Sequence, residues 1–403
     1  MRMTRVLSVF LLFSAIPYYS GALDPRVRAS SGQSWELAAS NASVNASIGS
    51  SVAIGGDTVV VGSIGGGPVY VYEKPAGGWR NMLQTAELTP STGGFGDTVV
   101  AISGDTIIVG SGLGGDVYVF VKPSGGWTNM TETARLSDGV TGDYFGISVA
   151  IDGSTIVVGA TGTEVNGTQE QGSAYVFVEP PTGWATTSAF DAELTSSNGT
   201  YVDLFGVSVR VSGKTIVVGA PFDDDRTGPG AVYVFVEPAT GWANMTQTAE
   251  LTESQQGLYD EFGFSVAFAG DTIAAGAPQA SDGGAAYVFV EPATGWADMT
   301  ETAQLLPSDP TQNFGFSIGT SGKQVVVGTF SGTTNLVFVY AEPEGGWQST
   351  STASVLLSRG QKEADFGYSV AIGSGVVVAG APYQTVDGHG DQGAAFVFEL
   401  TQH

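Results

Sequence analysis

Two groups of acidic residues carry the clearest chemistry in this 403-residue chain. Asp223, Asp224 and Asp225 are consecutive, and Asp387, His389 and Asp391 alternate along a short stretch. A hard cation takes several carboxylate and carbonyl oxygens, so Asp223, Asp225, Asp387 and Asp391 are the candidate metal ligands and calcium the candidate ion. Neither run completes a full calcium-loop pattern, and the same acids would equally keep a glycine-rich surface hydrated. Glu164 and Glu170 lie in a similar polar stretch and join Asp223, Asp224, Asp225, Asp387, His389 and Asp391 as candidate ligand contacts.

Catalytic groups are scarce. The chain has no cysteine, hence no thiol nucleophile, and its two histidines are His389 and His403. A histidine-dependent triad or a multi-histidine zinc site does not fit that inventory. The glycines lack the strand-to-helix setting of a phosphate-binding or dinucleotide loop. Two carboxylates acting as acid and base remain, which would make the protein a glycan hydrolase or lyase. No catalytic residue is singled out, a binding role is preferred to an enzymatic one, and no cofactor beyond calcium is expected. A formal net charge of −25 argues against nucleic acid and anionic membranes as partners.

The elements that must hold these residues are written in repetition. Ile48-Gly49, Phe95-Gly96, Phe145-Gly146, Phe205-Gly206, Phe262-Gly263, Phe314-Gly315 and Phe366-Gly367 each open an alternating apolar run, at intervals of 47 to 60 residues. Within a unit the text recurs, as in FGISVAIDGSTIVVGA from Phe145 and FGVSVRVSGKTIVVGAP from Phe205. Each unit holds four strand-sized runs separated by Gly- or Pro-containing turns, as in Ser148 to Ile151, Thr155 to Ala160, Ala174 to Val178 and Glu193 to Thr195. Four short antiparallel strands repeated seven times predict an all-β fold, a seven-bladed β-propeller. The last unit stops after its third strand, and Trp35-Glu36-Leu37 resembles the missing fourth. Residues 34–38 are therefore expected to complete blade seven and close the ring. Phe of each pair is expected to wedge between blades and Gly to let the chain turn closely. The tryptophans of the Pro-x-x-Gly-Trp turns, such as Trp127 and Trp242, are read as packing residues rather than sugar platforms.

The pattern F-G-x-S-V-A-x-x-G-D-T-x-V-V-G-A-P followed by G-A-x-Y-V-F resembles the FG-GAP repeat, over residues 48 to 400. The heads of integrin α-subunits contain seven such repeats, so the resemblance implies the propeller module. Integrin-like repeats often carry an Asp-rich calcium loop between the first two strands. Here that connection is a two-residue turn at Gly55-Gly56, Asp152-Gly153, Ser212-Gly213 and Gly270-Asp271, so those calcium sites are expected to be absent.

Arg2 and Arg5 precede an apolar run from Val6 to Ile16, followed by Ser20-Gly21-Ala22, which reads as a signal peptide over residues 1–22, leaving 23–403 as the propeller. That run is too short to span a bilayer, so no membrane insertion is expected. Sequons at Asn41, Asn45, Asn129, Asn166, Asn198 and Asn244 fit glycosylation of a secreted chain. Connections between second and third strands vary most among the units and gather acids. Links between blades add Asp138, Asp143, Asp203, Glu253, Asp260, Glu261, Asp309, Glu363 and Asp365. Both sets emerge on one face of a propeller, which is expected to be strongly negative and to bind an extracellular protein or glycan. A structural role in a matrix or cell wall is the other non-enzymatic reading.

Overall fold

The computed structural model describes residues 34–112, 115–222, 228–281, 283–308, 313–330, 336–359 and 364–400. Those residues form seven small sheets, and no helix occurs among them. Blade four shows the plan. Ser208–Ser212, Thr215–Ala220, Ala231–Val236 and Ala249–Thr252 pair antiparallel in sequence order, with Val209 opposite Val218 and Val218 opposite Tyr233. The β-branched and aromatic residues of these runs suit a sheet packed on both faces, and the middle strands are almost wholly buried.

Blade seven closes as the sequence implies. Ser34–Ala38 lies antiparallel to Ala394–Glu399, with Ser34 opposite Phe398 and Leu37 opposite Ala395. Leu37 is fully buried in the core between blades seven and one, beside Val59, Tyr72 and Val397. The first hairpins are indeed two-residue turns, but three are displaced by one residue from expectation. Gly55 pairs with Thr58, Asp152 with Thr155 and Ser212 with Thr215, so the turns are Gly56-Asp57, Gly153-Ser154 and Gly213-Lys214. Gly153, at φ +54°, takes the left-handed position that such a turn demands.

Each repeat residue has a place between blades. Phe145, Phe205 and Phe262 are completely buried and meet aromatic rings of their own third strands, as Phe205 meets Phe235 edge-on at 6.0 Å. In five of the blades the serine two places after the Phe-Gly pair donates its hydroxyl to the glycine carbonyl that opens the next blade. Ser148 reaches Gly206 at 2.6 Å, Ser208 Gly263 at 2.9 Å, Ser265 Gly315 at 2.7 Å and Ser317 Gly367 at 2.8 Å. Ser369 makes the same bond to Gly49 at 2.7 Å and thereby joins blade seven to blade one. The glycine in the second strand faces this carbonyl too. A Cβ on Gly276 would lie 2.0 Å from Gly315 O, so only a bare backbone fits.

A second joint was absent from the sequence reading. Just before its own fourth strand, the chain lays two residues parallel to the outer strand of the preceding blade. Met82–Leu83 lies beside Ser34–Ala38, Met130–Thr131 beside Ala86–Thr89, Met245–Thr246 beside Ala192–Thr195, and Met299–Thr300 beside Ala249–Thr252. One side-chain oxygen beside each strap accepts from the neighbouring outer strand. Glu36 N–H donates to Asn81, Glu87 to Asn129, Arg135 to Thr186, Glu193 to Asn244, Glu250 to Asp298 and Gln304 to Ser349. Straps and caps together shield outer edges that would otherwise invite further pairing.

Candidate functional site

The up-and-down course brings the second-to-third-strand loops and the inter-blade links out on one face, the candidate site. Asp223, Asp224 and Asp225 lie outside the described residues. The other candidates fall on two loops with one hidden design. Val165-Asn166-Gly167-Thr168 in blade three and Val386-Asp387-Gly388-His389 in blade seven are miniature hairpins, paired Val165 to Thr168 and Val386 to His389. Asn166 and Asp387 have φ of 51° and 49°, and Glu170 and Asp391 have 53° and 52°, so both acids recur at one left-handed position. A buried glutamine anchors each loop to the chain after its blade's outer strand: Gln171 donates to Ser196 and Gln392 to Ala39 O. Short polar residues tolerate this backbone, which accounts for Asn166 and Asp387 without any ligand.

Asp387, His389 and Asp391 are exposed, as is Glu164. No group of three or more His, Cys, Asp or Glu able to hold a metal occurs among the described residues. The hairpin turns Asp387 out at its tip, and Asp391 follows beyond it.

Several link acids expected to make the face strongly negative do not reach its surface. Asp143, Asp203, Glu253, Asp260 and Asp365 are buried. The reason is local: links without regular pairing must satisfy their own N–H groups, and short carboxylates do so. Asp143 accepts from Phe145 N–H, Asp203 from Thr200 N–H and hydroxyl, and Asp260 from Gly257 N–H. Asp116 is not an open charge either, since Arg135 forms an ion pair with it and lies 5.0 Å over the ring of Tyr118. Burial, foremost, pushes the carboxyls of Asp143, Glu253 and Glu261 up to about 7. These raised acids have the proton affinity of a general acid, but burial in the links leaves Asp143 and Glu253 closed to a substrate.

Beside these charges the face also exposes apolar side chains. Val44, Val140, Tyr201, Leu258, Tyr259 and Tyr383 are six of the eight exposed large hydrophobic residues among those described, and all belong to these loops and links. Val44, Tyr201 and Leu258 stand four residues before their blade's repeat Phe or its Ile substitute, so in three of the seven links one repeat position carries an apolar side chain, where the others have Ser91, Thr141, Pro310 and Lys362. That shared position in three links was the signal available in the sequence. At the starts of blades five to seven, Phe264, Phe316 and Tyr368 pack ring on ring with Phe330, which follows the second strand of blade six, and Phe316 stacks on Phe330 at 5.0 Å.

The opposite face is repetitive. Trp79, Trp127, Trp184, Trp296 and Trp347 are buried, in keeping with a packing role. The sequon residues divide in the same manner. Asn129 and Asn244 are strap caps, whereas Asn41 and Asn198 each donate to a glutamate of the next blade, Glu87 and Glu250, and accept from Tyr70 and Tyr233. Asn45 and Asn166 sit exposed on loops at positive φ.

Comparison with known proteins agrees with this geometry. The sequence model described as "FG-GAP repeat" matches residues 130–177, 189–235 and 245–289. No curated protein matched the chain. Among solved structures, the computationally designed Ika8 protein is similar at a TM-score of 0.51 and 15% identity, over 91% of this chain and 99% of that one. At that identity the likeness concerns fold alone. Three matched repeats, set in seven blades of one plan, make this chain an FG-GAP repeat β-propeller.

Proposed function

We propose that this protein is a secreted recognition or adhesion module that binds an extracellular protein or glycan through its loop-and-link face. The observation that carries this reading is the gathering of exposed apolar side chains there, on links whose neighbouring positions are fixed by the scaffold. Water-exposed Tyr and Leu on a rigid frame give a partner anchor points at little entropic cost. The signal-like start of the sequence and the sequons support the secretory route.

The test begins with a screen of glycans and extracellular proteins for a ligand. Tyr201→Ser, Leu258→Ser and Tyr259→Ser are then measured against it. At least one should weaken binding about tenfold, which corresponds to about 1.4 kcal/mol, with the melting temperature near wild type. Binding unaffected by all three, together with loss on changing exposed residues of the opposite turns, would refute the assignment.

A further inference from the structure

Two of the buried link acids do not stand alone. At the link into blade three Asp138 meets Asp143, and at the link into blade five Glu253 meets Asp260, each pair within hydrogen-bonding reach. Asp143 is 4% exposed and Glu253 1%. One oxygen each of Asp138 and Asp143 and both oxygens of Glu253 are buried without a well-formed hydrogen bond, with the Tyr287 hydroxyl and the Gly257 N–H the donors near Glu253. Two carboxylates cannot both stay charged in such a setting, because their repulsion adds to the loss of hydration.

The link into blade four provides an internal comparison. It has the same build, with Asp203 in the place of Asp143 and Asp260, but Ser196 stands where Asp138 and Glu253 stand. There Asp203 accepts from Thr200, and Ser196 accepts from Gln171. A neutral partner leaves nothing to neutralise. Each acid pair differs from it by one additional carboxylate.

We propose that each acid pair holds one shared proton, which makes the links into blades three and five pH-sensitive latches that tighten below neutral pH and loosen above it. The groups facing the first pair are Tyr175, from the third strand of blade three, and through it Glu193 and Thr163. Those facing the second are Tyr287, from the third strand of blade five, and Gln304, which donates to its hydroxyl. Glu261 lies next to Asp260, with one oxygen also buried and unpartnered. Among the described residues no Lys or Arg forms a salt bridge with either pair.

The direction of the effect follows from linkage. Burial, first, and the neighbouring acid, second, lift Asp143 and Glu253 to about 7, far above free carboxyls. The folded chain therefore holds protons that the unfolded chain has released between about pH 4 and about pH 7. The stabilisation is complete below that window and is lost as the pH rises through it.

Thermal melting of the full chain between about pH 5.5 and about pH 8 tests this. Wild type should melt about 2 °C or more higher at the acidic end. The Asp143→Asn, Glu253→Gln double variant imitates the protonated pairs, so it should gain at pH 8 and show a flatter profile. Ser196→Glu builds a third pair and should steepen the profile, which gives a readout even if the double variant fails to fold. Glu261→Gln separates that residue's share. Double-variant and wild-type profiles of equal slope, or no steepening by Ser196→Glu, would overturn the proposal. So would calcium chloride stabilising the wild type at pH 8 but not the double variant, since the pairs would then hold a metal ion rather than a proton.

Discussion

Gly276→Ala places a single methyl group at the tightest kind of joint in the ring. Its Cβ would lie 2.0 Å from Gly315 O and 2.5 Å from Ser265 Oγ, whereas ordinary contact begins near 3.4 Å. Blade six must withdraw by roughly 1 Å or more, or the strand must bend, and the principal obstacle is backbone rather than a flexible side chain. Overpacking of this kind costs about 1–3 kcal/mol. The same movement stretches the 2.7 Å bond from Ser265 to Gly315 O, and a buried carbonyl left unpaired costs about 1–3 kcal/mol more. The expected loss is about 4 kcal/mol, read as a lower urea midpoint. Gly153→Ala is the comparison, since nothing lies within 4 Å of its Cβ and only its positive φ of 54° resists substitution. That backbone term is about 1–2 kcal/mol. Ser265→Ala isolates the hydrogen bond. If Gly276→Ala lost no more stability than Gly153→Ala, the close approach would not govern blade spacing and the reasoning would fail.

Other perturbations address the closure, the straps and the loops. Leu37→Ala hollows the core at the closing strand and should cost about 3 kcal/mol, with a melt that starts lower than wild type; an unchanged melt would show that the strand does not latch the ring. Asn244→Ala removes the acceptor for Glu193 N–H and should cost about 1 kcal/mol, whereas Asn244→Asp, which copies Asp298 in the next blade, should cost little. Equal losses for the two would mean that the cap is not the reason for the residue. Replacing residues 161–172 with the short connection of blade two should leave the melting temperature near wild type while altering affinity for any ligand found; a collapse of stability would instead assign Gln171 and its loop to the scaffold.

The blades were legible because their most demanding contacts are made by residues at fixed sequence intervals. Phe145, Phe205 and Phe262 must fill the same inter-blade space, and the glycines must face a carbonyl, so the text repeats wherever the geometry does. The straps were not legible. A two-residue pairing such as Met245–Thr246 with Leu194 and Thr195 joins segments about fifty residues apart and leaves no alternating pattern to read. Asn129 and Asn244 accordingly read as sequons before they read as caps. The acids misled for a related reason, since the sequence of a link reports its charge but not that its own N–H groups will draw Asp143 or Asp203 inward. The shared hairpin of blades three and seven was hidden by different residues, VNGTQEQG against VDGHGDQG, that serve one backbone.

The closing pair also sets how the ring responds to force. Ser34 lies opposite Phe398, so the segments that run on from Ser34 and from Glu399 leave from the same end of two antiparallel strands. Tension applied through both would part the strands one pair at a time, as a zipper opens, and no set of hydrogen bonds would share the load. Tension entering through one terminus and leaving through the loop face would pass instead across the body of the ring, where sheets, Ser clamps and straps lie side by side. A closure that resists heat by burying Leu37 is thus mechanically soft in one direction, and the molecule is best suited to bearing load with its two ends undivided.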